Sequence, residues 1–306
     1  MILCCGEALI DMIPIVFRDG QEGFAPHAGG AVFNTAIGLG RLGARTGFLT
    51  GLSTDLFGQR LAAVLRESEV DTRFSITSDK PTTLAFVKLD NGHATYTFYD
   101  ENTAGRSLTP TQLPDLPQEA TALYFGGISL ISEPCADFYA ALAAREAGRR
   151  VIMLDPNIRT GFIRDEERYR KRLAGMIEAA DIIKVSDEDL GWLVPGAAAM
   201  AEKAANLATG KIVIVTCGGD GAHAFLPSGA AVAVPAERVV IVDTVGAGDT
   251  FNSGVLAKLS ADGLLSRSAL AEISVPQMRA ALAHGAAVAA VTVSRAGANP
   301  PWAREL

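Results

Sequence analysis

One short run near the C-terminal end, Asp243-Thr-Val-Gly-Ala-Gly-Asp249, holds chemistry-bearing residue types in tight spacing. The apolar stretch 237–245 leads into Gly246-Ala247-Gly248, and a helical pattern starts at Asp249. Glycines at such a junction let successive backbone N–H groups converge on the first helical turn, where the helix dipole adds partial positive charge. Amides arranged in this way bind anionic oxygens. A carboxylate beside an anion site is unfavourable unless it does chemical work. Taking a proton from an attacking hydroxyl is such work, because it frees the nucleophile while the amides absorb charge on a phosphoryl group. Asp249 is therefore either a general base or simply the cap of the helix it opens.

A second segment, Ala28-Gly29-Gly30-Ala-Val-Phe-Asn34, reads as a Gly-Gly turn opening a helix that runs to about Leu42. The glycines allow a ligand close to the backbone, and Asn34 on the first turn projects toward whatever lies above it. A tight turn with a polar first helical turn is the alternative. Asp11, after the first strand, either accepts hydrogen bonds from vicinal hydroxyls or is a solvated loop residue.

These groups need a frame to hold them. Residues 2–5, 46–52, 122–126, 150–154, 181–185 and 211–216 are apolar runs of strand length. Between several of them lie helical patterns with start signals, Ser53-Thr54-Asp55 before LFGQRLAAVLRES and Pro134 before CADFYAALAAREAG. Near-continuous apolar strands alternating with helices predict a largely parallel sheet covered on both faces. The stretch TTLAFVKLDNGHATYTFYD breaks this alternation. Asn91-Gly92 joins two β-rich runs and predicts a hairpin pairing Leu89 with Ala94, Val87 with Tyr96 and Ala85 with Phe98, all six on one face. Such a face must cover something, either a site or a partner subunit. The run at 13–18 is a candidate to join the same small sheet.

Composition narrows the function classes. Of 306 residues 49% are apolar and 20% charged, enough for a sizeable core. The net charge of −7 and the lack of a Lys/Arg-rich stripe argue against a nucleic-acid partner. Cys4, Cys5, Cys135 and Cys217 form no CxxC pair and have no histidine at zinc spacing. No apolar run reaches membrane-span length, and the start lacks a basic leader, so a reduced cytoplasmic protein is expected. Gly38-Leu-Gly40-Arg-Leu-Gly43 fits the dinucleotide pattern but falls at the end of a helix rather than after a strand, and Gly210-Lys211 lacks P-loop spacing.

The two glycine-containing segments together resemble both signature motifs of the ribokinase-like (PfkB) carbohydrate kinases. The Gly-Gly pair, Asn34, Gly43 and Gly51 match the first, and Asp243 to Asp249 the second. The resemblance spans essentially the whole chain and is strongest to bacterial fructokinases. It implies a single ribokinase-like kinase domain over 1–306, a layered α/β core with a mainly parallel sheet and a small β-sheet lid from segments near 15–27 and 73–102. It implies Asp249 as catalytic base, with Gly246, Ala247 and Gly248 as anion hole. Asp11, Gly29, Gly30, Asn34, Phe98 and Arg159 would hold the sugar; Lys184, Ser186, Thr216, Gly218, Gly221 and His284 would hold ATP.

The family's usual Asn-x-x-Glu, tied to magnesium, stands here as Ser186-Asp-Glu-Asp189, which puts Asp189 or Glu188 in the Mg²⁺ shell through water. Asp243 and Val245 match positions that bind K⁺ in related kinases. The expected reaction is phosphorylation of D-fructose by ATP to fructose 6-phosphate and ADP. The alternative acceptor is 2-keto-3-deoxygluconate, whose carboxylate would need Arg106 or Arg159. Outside the kinases, a nicotinamide oxidoreductase and a non-catalytic sugar-binding protein are the competing readings. Sugar and ATP are the expected ligands, with neither nucleic acid nor membrane as partner, and the lid offers a surface for a homodimer.

Overall fold

The computed structural model describes residues 1–90 and 93–306. The N-terminal strands are β1 (Ile2–Cys5), β2 (Leu9–Val16), β3 (Glu22–Gly29), β4 (Thr46–Leu49), β5 (Gly51–Ser53), β6 (Val70–Asp71), β7 (Ile76–Ser78), β8 (Leu84–Asp90) and β9 (His93–Tyr99). Six follow: β10 (Ala122–Gly126), β11 (Val151–Asp155), β12 (Ile182–Ser186), β13 (Ile212–Thr216), β14 (Ala222–Phe225) and β15 (Ala231–Val234). The helices of the first half are α1 (Ala31–Arg41), α2 (Leu56–Glu67), α3 (Cys135–Glu146) and α4 (Glu166–Ala179). Those of the second are α5 (Asp187–Leu193), α6 (Met200–Leu207), α7 (Ala247–Ala261), α8 (Arg267–Ala271) and α9 (Val275–Val293).

Nine strands form the main sheet in the order β15-β14-β13-β12-β11-β10-β1-β4-β6. Every neighbouring pair from β13 to β6 is parallel, and β14 pairs antiparallel with both β13 and β15. The parallel strands are largely apolar because they are covered on both sides, with polar residues such as Asp155 of β11 and Lys184 of β12 near their C-terminal ends. Ile2 and Cys4 face one core, with Phe33 of α1, Phe251 of α7 and Leu282 of α9. Leu3 and Cys5 face the other, with Phe138 of α3, Leu173 of α4 and Leu190 of α5. The strand period of two thus divides one sequence between two cores. All four cysteines are free thiols, three of them buried.

A four-stranded second sheet has the order β3-β2-β8-β9. The β8–β9 register pairs Leu89 with Ala94, Val87 with Tyr96 and Ala85 with Phe98, as the sequence predicts. The Asn91-Gly92 turn itself lies outside the described residues. The expected segment 15–27 falls within the β2–β3 hairpin, which begins earlier. Ile76–Ser78 of the other segment pairs with β5 instead.

Three local expectations need correction. The apolar run 46–52 is two strands, because it breaks at Thr50, whose carbonyl accepts the Ile76 amide at 2.8 Å while β5 joins β7 in a separate pair. Helix α7 begins at Ala247, two residues before Asp249, because Gly246 takes the left-handed conformation (φ 79°) at the N-cap. Asp11 lies within β2 rather than in a loop after the first strand. The apolar stretch leading to α7 forms no strand, and Val240 is 83% exposed. No helix among the described residues is long and apolar enough to cross a membrane.

Candidate active site

The main-sheet strands β1, β10, β11 and β12 end beside one cavity of about 640 Å³. Asp11, Ile13, Val87, Tyr96 and Phe98 of the small sheet form one wall. Residues 243–249 and Asn34 form another, and Asp155, Asn157, Arg159 and Lys184 a third. A site at the C-terminal ends of parallel strands is where open α/β sheets place ligands.

Asp249 sits on the first turn of α7 and is only 9% exposed. Asn34 Nδ2 donates to its Oδ2 at 2.9 Å, and Thr35 Oγ1 donates to its backbone carbonyl at 3.1 Å. Two residues of α1 therefore grip Asp249 by side chain and main chain. Burial pushes the carboxyl up to about 7, although the Asn34 bond acts the other way. Beside it, the amides of Gly246, Gly248 and Asp249 have no partner among the described residues, as the first turn of a helix dictates. The Ala247 amide reaches back to the Thr244 carbonyl at 3.3 Å, so it belongs partly to the turn.

A buried polar network supports this turn from below. Lys184 Nζ donates to Asp155 Oδ2 at 3.0 Å, and Asn252 Nδ2 donates to the same oxygen at 2.7 Å and to Tyr124 Oη at 3.0 Å. The ion pair stands beside the first turn of α7, since a Cβ on Gly248 would lie 3.3 Å from Lys184 Nζ. Asp155 Oδ1 and Asn252 Oδ1 are buried acceptors with no partner among the described residues. Asp243 braces the loop, its Oδ1 accepting the Val245 amide at 3.0 Å and its Oδ2 the Gly297 amide at 2.8 Å.

The wall formed by the small sheet has its own logic. A Cβ on Gly29 would collide with Asp11 Oδ2, and one on Gly30 would stand 3.0 Å from the Glu7 carbonyl oxygen. The Gly-Gly pair thus makes room for residues of the chain itself. Burial raises Asp11 to about 6. Tyr96 and Phe98 face the cavity from β9, with the Phe98 ring edge-on to Phe162 at 4.8 Å.

The cavity gathers Asp11, Gly30, Asn34, Phe98, Arg159, Lys184, Asp243, Val245, Gly246, Ala247, Gly248 and Asp249. Gly29 lies behind it, against Asp11. Ser186, Asp189, Glu188, Thr216, Gly218, Gly221 and His284 do not line it. Ser186 and Asp189 form a capping box at the start of α5, and Asp189 Oδ1 also accepts the Ile158 amide at 3.1 Å. Thr216 pairs with Ser186 at the ends of β13 and β12, and Gly218 and Gly221 shape the turn that follows. His284 is half-buried between α9 and α7, and burial lowers its basicity. Arg159 makes no ion pair among the described residues, whereas Arg106 is committed to Asp100 at 2.6 Å in a neighbouring cavity.

Sequence reading did not single out Glu7, Asp155 or Asn252 as site residues, and it named Tyr96 only as part of the hairpin face. Asn252 had a signal, being polar on a helical turn just after Asp249. An acid directly after the apolar strand 2–5 was the corresponding signal for Glu7.

The model of the pfkB family carbohydrate kinases matches residues 1–304. A fructokinase of Rhizobium leguminosarum bv. trifolii is 51% identical over 281 residues, 91% of this chain and 86% of that one. Probable fructokinase-2 of Arabidopsis thaliana is 35% identical over 311 residues, 98% of this chain and 92% of that one. Among solved structures, fructokinase from Xylella fastidiosa with bound ATP matches with a TM-score of 0.87 at 29% identity, covering 97% of this chain and 93% of that one.

Proposed function

The chain belongs to the pfkB family of carbohydrate kinases, and from that premise we propose that it transfers the γ-phosphoryl group of ATP to a primary hydroxyl of D-fructose, with Asp249 as general base. One observation carries this reading. A buried carboxyl, with one oxygen held by Asn34, stands beside amides without a partner among the described residues, at a helix N-terminus inside one cavity.

In this mechanism the sugar binds between β2, β9 and α1. Asp11 accepts hydrogen bonds from its hydroxyls, and the reacting hydroxyl points at Asp249 Oδ1. Asp249 takes the hydroxyl proton as the oxygen attacks phosphorus. The amides of Gly246 and Gly248, with Lys184 alongside, hold the equatorial oxygens as negative charge shifts. The small sheet acts as a lid that excludes water and so limits wasteful hydrolysis.

Magnesium fits this site as a phosphate-held hydrated ion rather than a protein-caged one. No cluster of three or more Asp, Glu, His or Cys able to hold a metal occurs among the described residues. The buried Oδ1 of Asp155, without a partner among the described residues and in the cavity lining, is better placed to hold a water of its shell than Asp189 or Glu188. When bound, Mg²⁺ neutralises charge on the β- and γ-phosphates.

The outer face of the small sheet supports a homodimer. Phe24, Phe86 and Tyr99 form a ladder of edge-on rings there, at 4.9 and 5.4 Å, with Phe24 and Tyr99 exposed. Phe24→Asp should convert a dimer to monomer in light scattering, and a monomeric parent removes the proposal.

The function is tested by coupled ADP release across fructose, other hexoses, ribose and sugar acids. Fructose should give the highest kcat/KM. A tenfold preference for 2-keto-3-deoxygluconate, abolished by Arg159→Met, would move the substrate and keep the kinase. ADP release stimulated by no sugar would overturn both.

A further inference from the structure

We propose that Glu7 is a positioning residue for phosphoryl transfer: its carboxylate fixes where α1 presents Asn34 to Asp249. This rests on the reading of Asp249 as base and adds a residue to that machinery.

Helix α1 has Gly30 at its N-cap and so no capping side chain of its own. Glu7, from the segment after β1, supplies the missing group. Its Oε1 accepts the Ala31 amide at 3.0 Å and its Oε2 accepts the Ser129 amide at 3.2 Å. Ser129 belongs to the short 3-10 helix Gly127–Leu130 that follows β10. One carboxylate therefore closes the first turns of two helices that are 98 residues apart in sequence (129 minus 31). Backbone geometry is cleared for it at both places. A Cβ on Gly30 would stand 3.2 Å from Glu7 Cγ, and one on Gly127 would collide with Oε1.

A carboxylate is the group that suits this position. Two backbone donors converge on its two oxygens, so both oxygens must accept. Glutamine would turn an NH₂ toward one donor and lose that bond. The next turn of α1 carries the consequence, because the Asn34 amide bonds to the Gly30 carbonyl at 2.8 Å and Asn34 Nδ2 holds Asp249 at 2.9 Å. A small displacement of α1 misdirects that grip, and misplacement of a reacting group by about 1 Å costs on the order of 10²-fold in rate. Glu7 lines the cavity but has both oxygens engaged, so it acts through Asn34.

The test uses the full chain with fructose and ATP. Glu7→Gln should lower kcat at least tenfold while the Kd for ADP stays within twofold. The double variant Glu7→Gln/Asn34→Ala should be no slower than Asn34→Ala alone, because both act through one contact. Gly127→Ala displaces the carboxylate without removing it and should show the same loss and the same non-additivity. It serves as the test if Glu7→Gln does not fold. A folded Glu7→Gln or Gly127→Ala protein with kcat within threefold of the parent overturns the proposal. So do losses that multiply with Asn34→Ala. Turnover by the parent separates the two layers, since an inactive parent defeats the kinase reading whereas an active parent with indifferent Glu7 variants defeats only this inference.

Discussion

Replacing Asp249 by Asn should slow the enzyme and stabilise the fold at once, and the size of each effect follows from burial. The carboxyl has an ordinary value of 3.8 and is raised to about 7, chiefly because the charged form is cut off from water. The folded state therefore holds this proton more tightly than the unfolded chain does. That contribution favours folding at pH below about 4 and is lost as pH rises toward 7. Above pH 7 the folded protein bears the full cost of a buried charge, an upper bound of about 4 kcal/mol at 1.36 kcal/mol per pH unit. Asparagine carries no charge and keeps an oxygen for Asn34 Nδ2. At pH 8 the variant should unfold at a higher denaturant concentration than the parent, and the gap should close toward pH 4. Phosphoryl transfer should fall by roughly 10²–10⁴-fold, the usual contribution of a positioned base. Single-turnover transfer and urea unfolding on the same preparation read both quantities. A folded variant retaining more than a tenth of the parent rate refutes the base assignment. A variant less stable than the parent at pH 8 refutes the buried-charge reasoning.

Other consequences are measurable in the same way. In the parent, kcat/KM should fall about tenfold per pH unit below about 7 as Asp249 takes up its proton, and a flat profile from pH 8 to 6 would contradict this. Asp11, raised to about 6, should bind sugar hydroxyls best when ionised, so the sugar KM should climb below pH 6 and Asp11→Asn should raise it at pH 8 without changing the ATP KM. Lys184→Met leaves Asp155 buried without its cation and should cost about 3–5 kcal/mol, with much of the loss recovered by adding Asp155→Asn. Potassium should raise activity severalfold over a bulky organic cation at equal ionic strength if the loop of Asp243 and Val245 holds it; equal rates remove that idea.

Local pattern carried much of the architecture. Ile2 and Cys4 against Leu3 and Cys5 show why the strands could be read: a period of two in a wholly apolar run signals a sheet buried on both faces, whichever helices cover it. The β8–β9 register was legible because Asn91-Gly92 is a two-residue turn signal in the sequence, and such a signal leaves one pairing open. Gly246 to Asp249 was legible because the converging amides of a helix start come from consecutive residues. Contacts between elements far apart in the chain left no such trace. Glu7 meets Ser129, Lys184 meets Asp155, and Asn34 meets Asp249 across 122, 29 and 215 residues respectively. Which residues meet there depends on the order β12-β11-β10-β1, and nothing in any single segment encodes strand order. The same limit explains Thr50, where an apolar run continues while the chain leaves one sheet for another. It also explains Gly29 and Gly30, which clear space for Asp11 and Glu7, side chains that arrive only once the strands have packed.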